Sequence, residues 1–250
     1  MPLDAFFASH PKFAVAFSGG ADSAYLLWAA VRAGCQIAAY YVKSPFQPAF
    51  ELEDAQRLAE QLDLPLRVLE LDVLSDPQVA ANPADRCYHC KRLLFTRLLQ
   101  AAQEDGYSLL CDGTNASDRA DDRPGMRVLA ELGIRSPLRE CEITKAQLRE
   151  LSRQAGLFTH NKPAYACLAT RIPTGTPLTS ELLGKVERAE AALAHLGFRD
   201  FRVRVFAGAA RLQLPEEQMP QALALRGQVQ GALQEFNGAL LDLQPRKSEG

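Results

Sequence analysis

The stretch Phe13-Ala14-Val15-Ala16-Phe17-Ser18-Gly19-Gly20-Ala21-Asp22-Ser23-Ala24 decides the fold. A short apolar run stops at two adjacent glycines, and apolar residues then return at Ala24, Leu27, Trp28 and Val31 with helical spacing before Gly34. That order is strand, glycine turn, helix. Working outward, Ile37 to Val42 predicts a second strand, Phe50 to Leu62 a charged amphipathic helix, and Leu66 to Val73 a third, alternating strand. Strands that alternate with helices pair in parallel and carry the helices on their faces, so the expected fold class is α/β with a parallel sheet.

Farther along, Cys87 to Ala102 predicts a helix, and Ser108 to Cys111 a short strand running into Asp112-Gly113-Thr114-Asn115. Thr144 followed by Gln147 is a capping box that opens a helix to Ala155, closed by Gly156. From Phe158 to Thr179 the chain reads as a long loop carrying Pro163, Pro173, Gly175 and Pro177, the expected hinge between a first domain, residues 1–170, and a smaller α+β domain, residues 171–250. In the second domain a helix is expected over Glu181 to Leu196 and strands over Phe201 to Phe206 and Arg211 to Leu214. A further helix over Glu216 to Phe236 and a last strand over Leu240 to Leu243 complete it.

Composition narrows the function classes. At 250 residues with 47% hydrophobic and 23% charged residues the chain can bury a sizeable core and is not a disordered one. Its net charge of −2 supplies no broad basic field, so neither nucleic acid nor an anionic membrane is an expected partner. The longest apolar stretch, Ala24 to Val31, is far short of the ~20 residues that span a bilayer. Met1 to Lys12 lacks the basic and apolar regions of an export signal, which makes a cytoplasmic location the expectation. Six cysteines in that setting point to thiol, metal or cluster chemistry rather than a disulfide framework.

A glycine turn between strand and helix brings backbone N–H groups close to a ligand and suits phosphate. Neither the GxxxxGK[ST] pattern nor GxGxxG is present. Ser18-Gly19-Gly20-Ala21-Asp22-Ser23 instead resembles the pyrophosphate loop (PP-loop) of the ATP pyrophosphatases, which split ATP between its α and β phosphates. That resemblance implies that Ser18, Gly19, Gly20 and Ser23 hold the departing pyrophosphate and that Asp22 helps place it with its Mg²⁺. The likeness sharpens at Asn82-Pro83, Asp85-Arg86-Cys87-Tyr88-His89-Cys90-Lys91, Asp112-Gly113-Thr114-Asn115 and Arg123-Pro124-Gly125. It continues at Lys162-Pro163, Ala166-Cys167-Leu168 and Arg171-Ile172-Pro173. Together these motifs resemble the LarE family, ATP-dependent sulfurtransferases of nickel-pincer nucleotide biosynthesis. The resemblance implies a small-molecule substrate, pyridinium-3,5-biscarboxylic acid mononucleotide, whose carboxylates become thiocarboxylates, and a homo-oligomeric enzyme.

A carboxylate is a poor electrophile until its oxygen becomes a leaving group, which adenylation by ATP achieves. A sulfur nucleophile must then expel AMP. Cys167, near Lys162 and Arg171 in sequence, is the candidate, with Asp22 and Arg171 as further catalytic residues. In single-cysteine members of the family this residue surrenders its own sulfur and is left as dehydroalanine. Here Cys87 and Cys90 form a CxxC at a helix start, and with Cys167 they resemble the subgroup whose three thiolates hold a [4Fe-4S] cluster. Zinc on the same cysteines, with or without His89, a redox pair, or no metal at all are the alternatives. Cys35, Cys111 and Cys141 lack partner spacing and are expected to pack.

Arg202 and Arg204 alternate on one strand and leave the same face, where Arg211 of the paired strand joins them. The resemblance makes Arg202 and Arg204 the ligands of the substrate phosphate, and Glu190 an acidic residue of the active site. Gln213 stands where the family commonly has an acid, so no metal site is assigned in the second domain. Rival readings are another PP-loop enzyme, a tRNA thiolase or an amide-forming synthetase, and a nucleotide-binding regulator without turnover. The net charge disfavours the tRNA enzyme, and no glutaminase nucleophile motif supplies ammonia for the synthetase.

Overall fold

A computed structural model describes residues 2–118, 124–163 and 165–246. In chain order the elements of the first part are α1 (Pro2–Ser9), β1 (Lys12–Ala16), α2 (Ala21–Arg32), β2 (Gln36–Lys43), α3 (Ala49–Gln61) and β3 (Leu66–Glu70). Then come α4 (Pro77–Ala80), α5 (Arg86–Glu104), β4 (Leu110–Cys111), α6 (Pro124–Glu131), α7 (Pro137–Glu140) and α8 (Lys145–Gln154). The last are α9 (Ser180–His195), β5 (Arg202–Phe206), β6 (Ala209–Gln213), α10 (Met219–Ala224), α11 (Arg226–Ala232) and β7 (Ala239–Leu241).

The chain forms two compact units, one of Met1–Val73 with Asp85–Lys162 and one of Leu74–Ala84 with Pro163–Gly250. The division therefore falls at 162/163 rather than 170/171. The segment carrying α4 belongs with the second unit because Asn82 Nδ2 donates to the carbonyls of Pro173 and Thr176, and Leu178 N donates to Ala80 O. These are non-local bonds that no linear reading of the chain reveals.

The first unit is built on a parallel sheet in the order β3-β2-β1-β4. Alternation along β1 explains its layers. Phe13 and Val15 enter one apolar cluster with Leu26, Leu27, Leu58 and Leu148, while Ala14 enters another with Tyr40, Leu98 and Ala101. Both faces of the sheet are thus covered by helices, as a parallel sheet requires. The capping box of α8 forms as its sequence predicts, Thr144 Oγ1 accepting from Gln147 N and Gln147 Oε1 accepting from Thr144 N at 2.8 Å. The helices α1, α4, α6 and α7 are not anticipated; they are short and each begins on proline, which reads as punctuation in a sequence.

In the second unit β5 and β6 are antiparallel and β7 adds in parallel to β6. Val203, Val205, Ala210 and Leu212 fill one face and are buried. The long helix expected over Glu216 to Phe236 is broken into a 3₁₀ turn, α10 and α11. Pro220 starts a helix better than it continues one, and Gly227 and Gly231 weaken the helical segment beyond it. The expected loop Phe158 to Thr179 contains two 3₁₀ turns, Phe158–Asn161 and Leu168–Arg171. No described helix is long and apolar enough to cross a membrane.

Candidate active site

In the first unit the strand order reverses beside β1: the chain runs outward through β2 and β3, and β4 then pairs on the opposite edge of β1. Such a reversal opens a crevice at the carboxyl ends of the two strands. Both mouths are occupied by the predicted motifs, Ser18 to Ser23 after β1 and Asp112 to Asn115 after β4. Gly20 is the N-cap of α2 and offers no side-chain acceptor to the first-turn N–H groups. Gly19 has φ +74°, and a Cβ there would meet the Glu51 carbonyl oxygen at 2.7 Å. Gly113 is equally constrained, since a Cβ would lie 2.7 Å from the backbone nitrogen of Ser23. The two loops therefore touch backbone to backbone. Ser18 and Ser23 share a hydrogen bond at 3.1 Å, and Ser23 Oγ donates to Gly20 O.

Asp22 sits at the centre of this crevice. Asn115 Nδ2 donates to its Oδ2 at 3.0 Å and Lys145 Nζ to its Oδ1 at 2.6 Å. Lys162 reaches the turn from the end of the unit, donating to Gly19 O at 3.1 Å and to Asp54 at 2.6 Å. Its charge is thus committed to the glycine loop and Asp54. Asp112 is buried, and burial pushes its carboxyl above the ordinary range although Ser136 and Thr114 donate to it and Lys91 lies near. Asn115 and Asp112 take no role in the sequence-based reading beyond their motif, and Lys145 falls in none of the family motifs read there. Their chemistry appears only when separate segments converge.

Cys87 lies in the first turn of α5 and Cys90 one turn on, on the same face. Cys87 is exposed and Cys90 buried. Arg86 Nη2 donates to Cys87 Sγ at 3.3 Å, and the positive end of a 19-residue helix lies beneath both thiols. His89 Nε2 pairs with Asp85 at 3.1 Å. Cys111 is wholly buried in β4, with its thiol pushed up by burial and by the neighbouring Asp112, and Cys35 and Cys141 pack against the same apolar cluster. These three are packing residues, as expected. Within either unit, no three described His, Cys, Asp or Glu side chains gather into a metal-holding group. Arg123 of the Arg123-Pro124-Gly125 motif lies outside the described residues.

In the second unit Cys167 is half-buried and caps the 3₁₀ turn Leu168–Arg171. Its carbonyl accepts from Thr170 Oγ1 at 2.8 Å and from Arg171 Nη1 at 3.3 Å, and Arg171 Nη1 also donates to Ala166 O at 2.6 Å. The Arg171 side chain is 0% exposed and that of Glu190 7%. Arg171 Nε and Nη2 donate to the two carboxylate oxygens of Glu190 at 2.9 and 3.1 Å, and Tyr165 Oη and Val203 N donate to the same carboxylate. Burial opposes the charge of Arg171, but Glu190, Tyr165 and Cys167 together raise its pKa. Wrapped this way, Arg171 and Glu190 have their polar atoms engaged by one another and by neighbouring protein groups. They hold the Cys167 turn.

Arg202, Arg204 and Arg211 share the polar face of the small sheet, with Arg204 directly opposite Arg211. The Arg202 guanidinium donates to Phe201 O at 2.7 Å and lies 5.1 Å from the Tyr165 ring centre. Arg204 donates to Gln213 Oε1 at 2.6 Å and to Thr170 O at 2.8 Å. Burial, Arg171 and Arg246 together push the Arg202 pKa down to about 10, and burial with Arg171, Arg211 and Arg246 lowers that of Arg204. Beyond burial, these guanidiniums repel one another and are offset only in part by Glu190 and Asp200, a field that an anion relieves. Gln213 bridges this face to Asp242, accepting from Arg204 and donating to the carboxylate at 2.9 Å.

Comparison with known proteins finds a matching family model and several relatives. The family model of the queuosine biosynthesis protein QueC matches residues 12–85, the span of β1, the glycine turn and β2 to β3. The chain is 38% identical over 220 residues to an uncharacterized Synechocystis protein, covering 88% of this chain and 82% of that protein. It is 35% identical over 236 residues to the pyridinium-3,5-bisthiocarboxylic acid mononucleotide synthase of Lactiplantibacillus plantarum, covering 93% of this chain and 86% of that enzyme. A shorter similarity, 28% over 137 residues and 44% of this chain, links it to the tRNA-specific 2-thiouridylase MnmA of Clostridium perfringens, of which it covers 38%.

Proposed function

This chain belongs to the LarE family of pyridinium-3,5-bisthiocarboxylic acid mononucleotide synthases, and from that premise we propose how its own residues carry the sulfur transfer. The enzyme uses ATP to convert the carboxylates of pyridinium-3,5-biscarboxylic acid mononucleotide to thiocarboxylates. A substrate carboxylate oxygen attacks the α-phosphorus of ATP, the bond to the β-phosphate oxygen breaks, and pyrophosphate leaves an acyl adenylate. Ser18, Gly19, Gly20 and Ser23 receive the pyrophosphate, and Asp22 binds the accompanying Mg²⁺. A sulfur nucleophile then attacks the acyl carbon and AMP leaves. Arg202 and Arg204, on one face of β5 with Arg204 opposite Arg211, take the substrate phosphate.

The sulfur source in this reading is a [4Fe-4S] cluster on Cys87, Cys90 and Cys167, supported by the family likeness and by the two thiols that share one face of α5. Such a cluster, if resupplied with external sulfide, would provide sulfur without consuming a cysteine. Arg171 and Glu190 are positioning residues, fixing the peptide on either side of Cys167. The same reading makes the enzyme cytoplasmic and self-associating, with a small molecule and no nucleic acid as partner.

The observation that carries the reading is the backbone contact between the Ser18–Ser23 turn and Gly113, which leaves Asp22 at the mouth of the strand-order reversal. Release of pyrophosphate from ATP must depend on the pyridinium mononucleotide; release without it, or none with it, overturns the assignment. Anaerobic purification with iron and acid-labile sulfide assays tests the cluster, and Cys87→Ala should abolish both cluster and multiple turnover. If the wild-type chain instead loses the mass of H₂S at Cys167 after one cycle, the sacrificial route operates.

A further inference from the structure

The turn Ser18 to Ser23 contains a carboxylate, Asp22, and no cationic side chain. Phosphate loops of the GxxxxGK type carry their own lysine; this one must draw its positive charge from elsewhere. Among the described residues, two lysines reach it. Lys162 is held by Asp54 of α3 and by the Gly19 carbonyl, so its charge is already balanced by a carboxylate outside the turn. Lys145 has as its carboxylate partner Asp22 itself, at 2.6 Å, and both side chains keep about a fifth of their surface in solvent, 23% and 21%.

The placement of Lys145 is built rather than incidental. It is the first residue of α8, fixed by the Thr144–Gln147 capping box, and its backbone N–H donates to Ser117 Oγ at 3.0 Å. Ser117 N in turn donates to Asn115 Oδ1, whose amide nitrogen holds the other oxygen of Asp22. The backbone of Lys145 and the carboxylate of Asp22 are therefore registered through one chain of hydrogen bonds. The ammonium is left on a flexible stem of four carbons.

We propose that Lys145 is a phosphate ligand of the glycine turn, parked on Asp22 in the free protein and transferred to the pyrophosphoryl oxygens when ligand and Mg²⁺ arrive. This rests on the phosphate-binding reading of the turn. Asp22 cannot neutralise an ammonium and a divalent cation with the same oxygen, so occupation of Asp22 by the metal releases Lys145 within reach of the phosphates. The lysine thus shields the carboxylate before binding and supplies the missing cation after it.

Titration calorimetry with inorganic pyrophosphate, with and without Mg²⁺, tests this on the full chain, with thermal melts confirming that each variant folds. Lys145→Met should weaken pyrophosphate binding about ten- to a hundredfold, the range of a lost charge-assisted hydrogen bond, and Lys145→Arg should recover most of it. Asp22→Asn should tighten binding in the absence of Mg²⁺ by freeing the lysine. The deciding comparison is Asp22→Asn against Asp22→Asn/Lys145→Met. If the double variant binds as well as the single one, Lys145 only neutralises Asp22 and the inference falls; a further loss of about tenfold or more supports it. A wild-type chain that binds no pyrophosphate overturns the reading of the turn and this inference with it.

Discussion

Glu190→Gln is the most exacting test of how the second unit holds Cys167. The carboxylate accepts four hydrogen bonds, from Arg171 Nε, Arg171 Nη2, Tyr165 Oη and Val203 N, and both partners of the ion pair are buried. Glutamine keeps the shape but has one acceptor oxygen and an NH₂ group that must face Arg171 Nη2 or Tyr165 Oη. Tyr165 can turn its hydroxyl to accept; the guanidinium cannot. The charge of Arg171 is then left buried and unpaired, which costs about 3–5 kcal/mol when one partner of such a pair is removed. For a chain of this size that amounts to a fall of about 6–20 °C in the unfolding midpoint. Urea unfolding by circular dichroism measures the free energy. The rate at which Cys167 is alkylated, read by mass spectrometry, reports whether its turn has loosened. Replacing both partners, Arg171→Met/Glu190→Met, should recover much of the stability, because no charge is stranded, but should not restore the alkylation rate, because the carbonyls of Ala166 and Cys167 lose their donor. A loss below about 1 kcal/mol for Glu190→Gln would refute the argument.

Gly113→Ala should cost about 1–3 kcal/mol and most pyrophosphate release, since its methyl would press into the backbone of Ser23, whereas Gly133→Ala, with open space around it, should show only the strain of its φ of +66°. Denaturant titration and a pyrophosphate assay on the two variants separate these cases. Because burial raises the Asp112 pKa, the folded state holds more protons than the unfolded one above the ordinary carboxylate value of 3.8, so this residue takes stability away as pH rises through its folded pKa. The difference in stability between Asp112→Asn and wild type should therefore grow in the variant's favour from about pH 3.8 up to the folded pKa and level off above it, and a pH-independent difference would contradict the assignment. With a limiting alkylating reagent, exposed Cys87 should react before Cys90, and buried Cys111 only after unfolding, as peptide mass mapping can show.

How much was legible in the sequence differs between local and remote features. The alternation of Phe13, Ala14 and Val15, the helical return at Ala24 and Leu27, and the Thr144–Gln147 box are local patterns, and each forms where its spacing places it. Local patterns suffice because backbone geometry alone sets their periods. The arginines of β5 were legible for the same reason: a period of two puts Arg202 and Arg204 on one face whatever surrounds them.

What Arg171 and Glu190 do was not legible in that way. Both are charged residues 19 positions apart, and only packing shows them interlocked and buried, with Tyr165 added to the pair. The partnership of Asp22 with Asn115 and Lys145, across separations of 93 and 123 residues, is likewise a product of the sheet order that brings the ends of β1 and β4 together. Sequence by itself determined most of the elements, the glycine turn and the thiols, because these depend on residue type and short spacing. Tertiary structure alone decided which charges neutralise one another and which remain to meet a ligand, because burial and distance between remote segments control the energy of a charge.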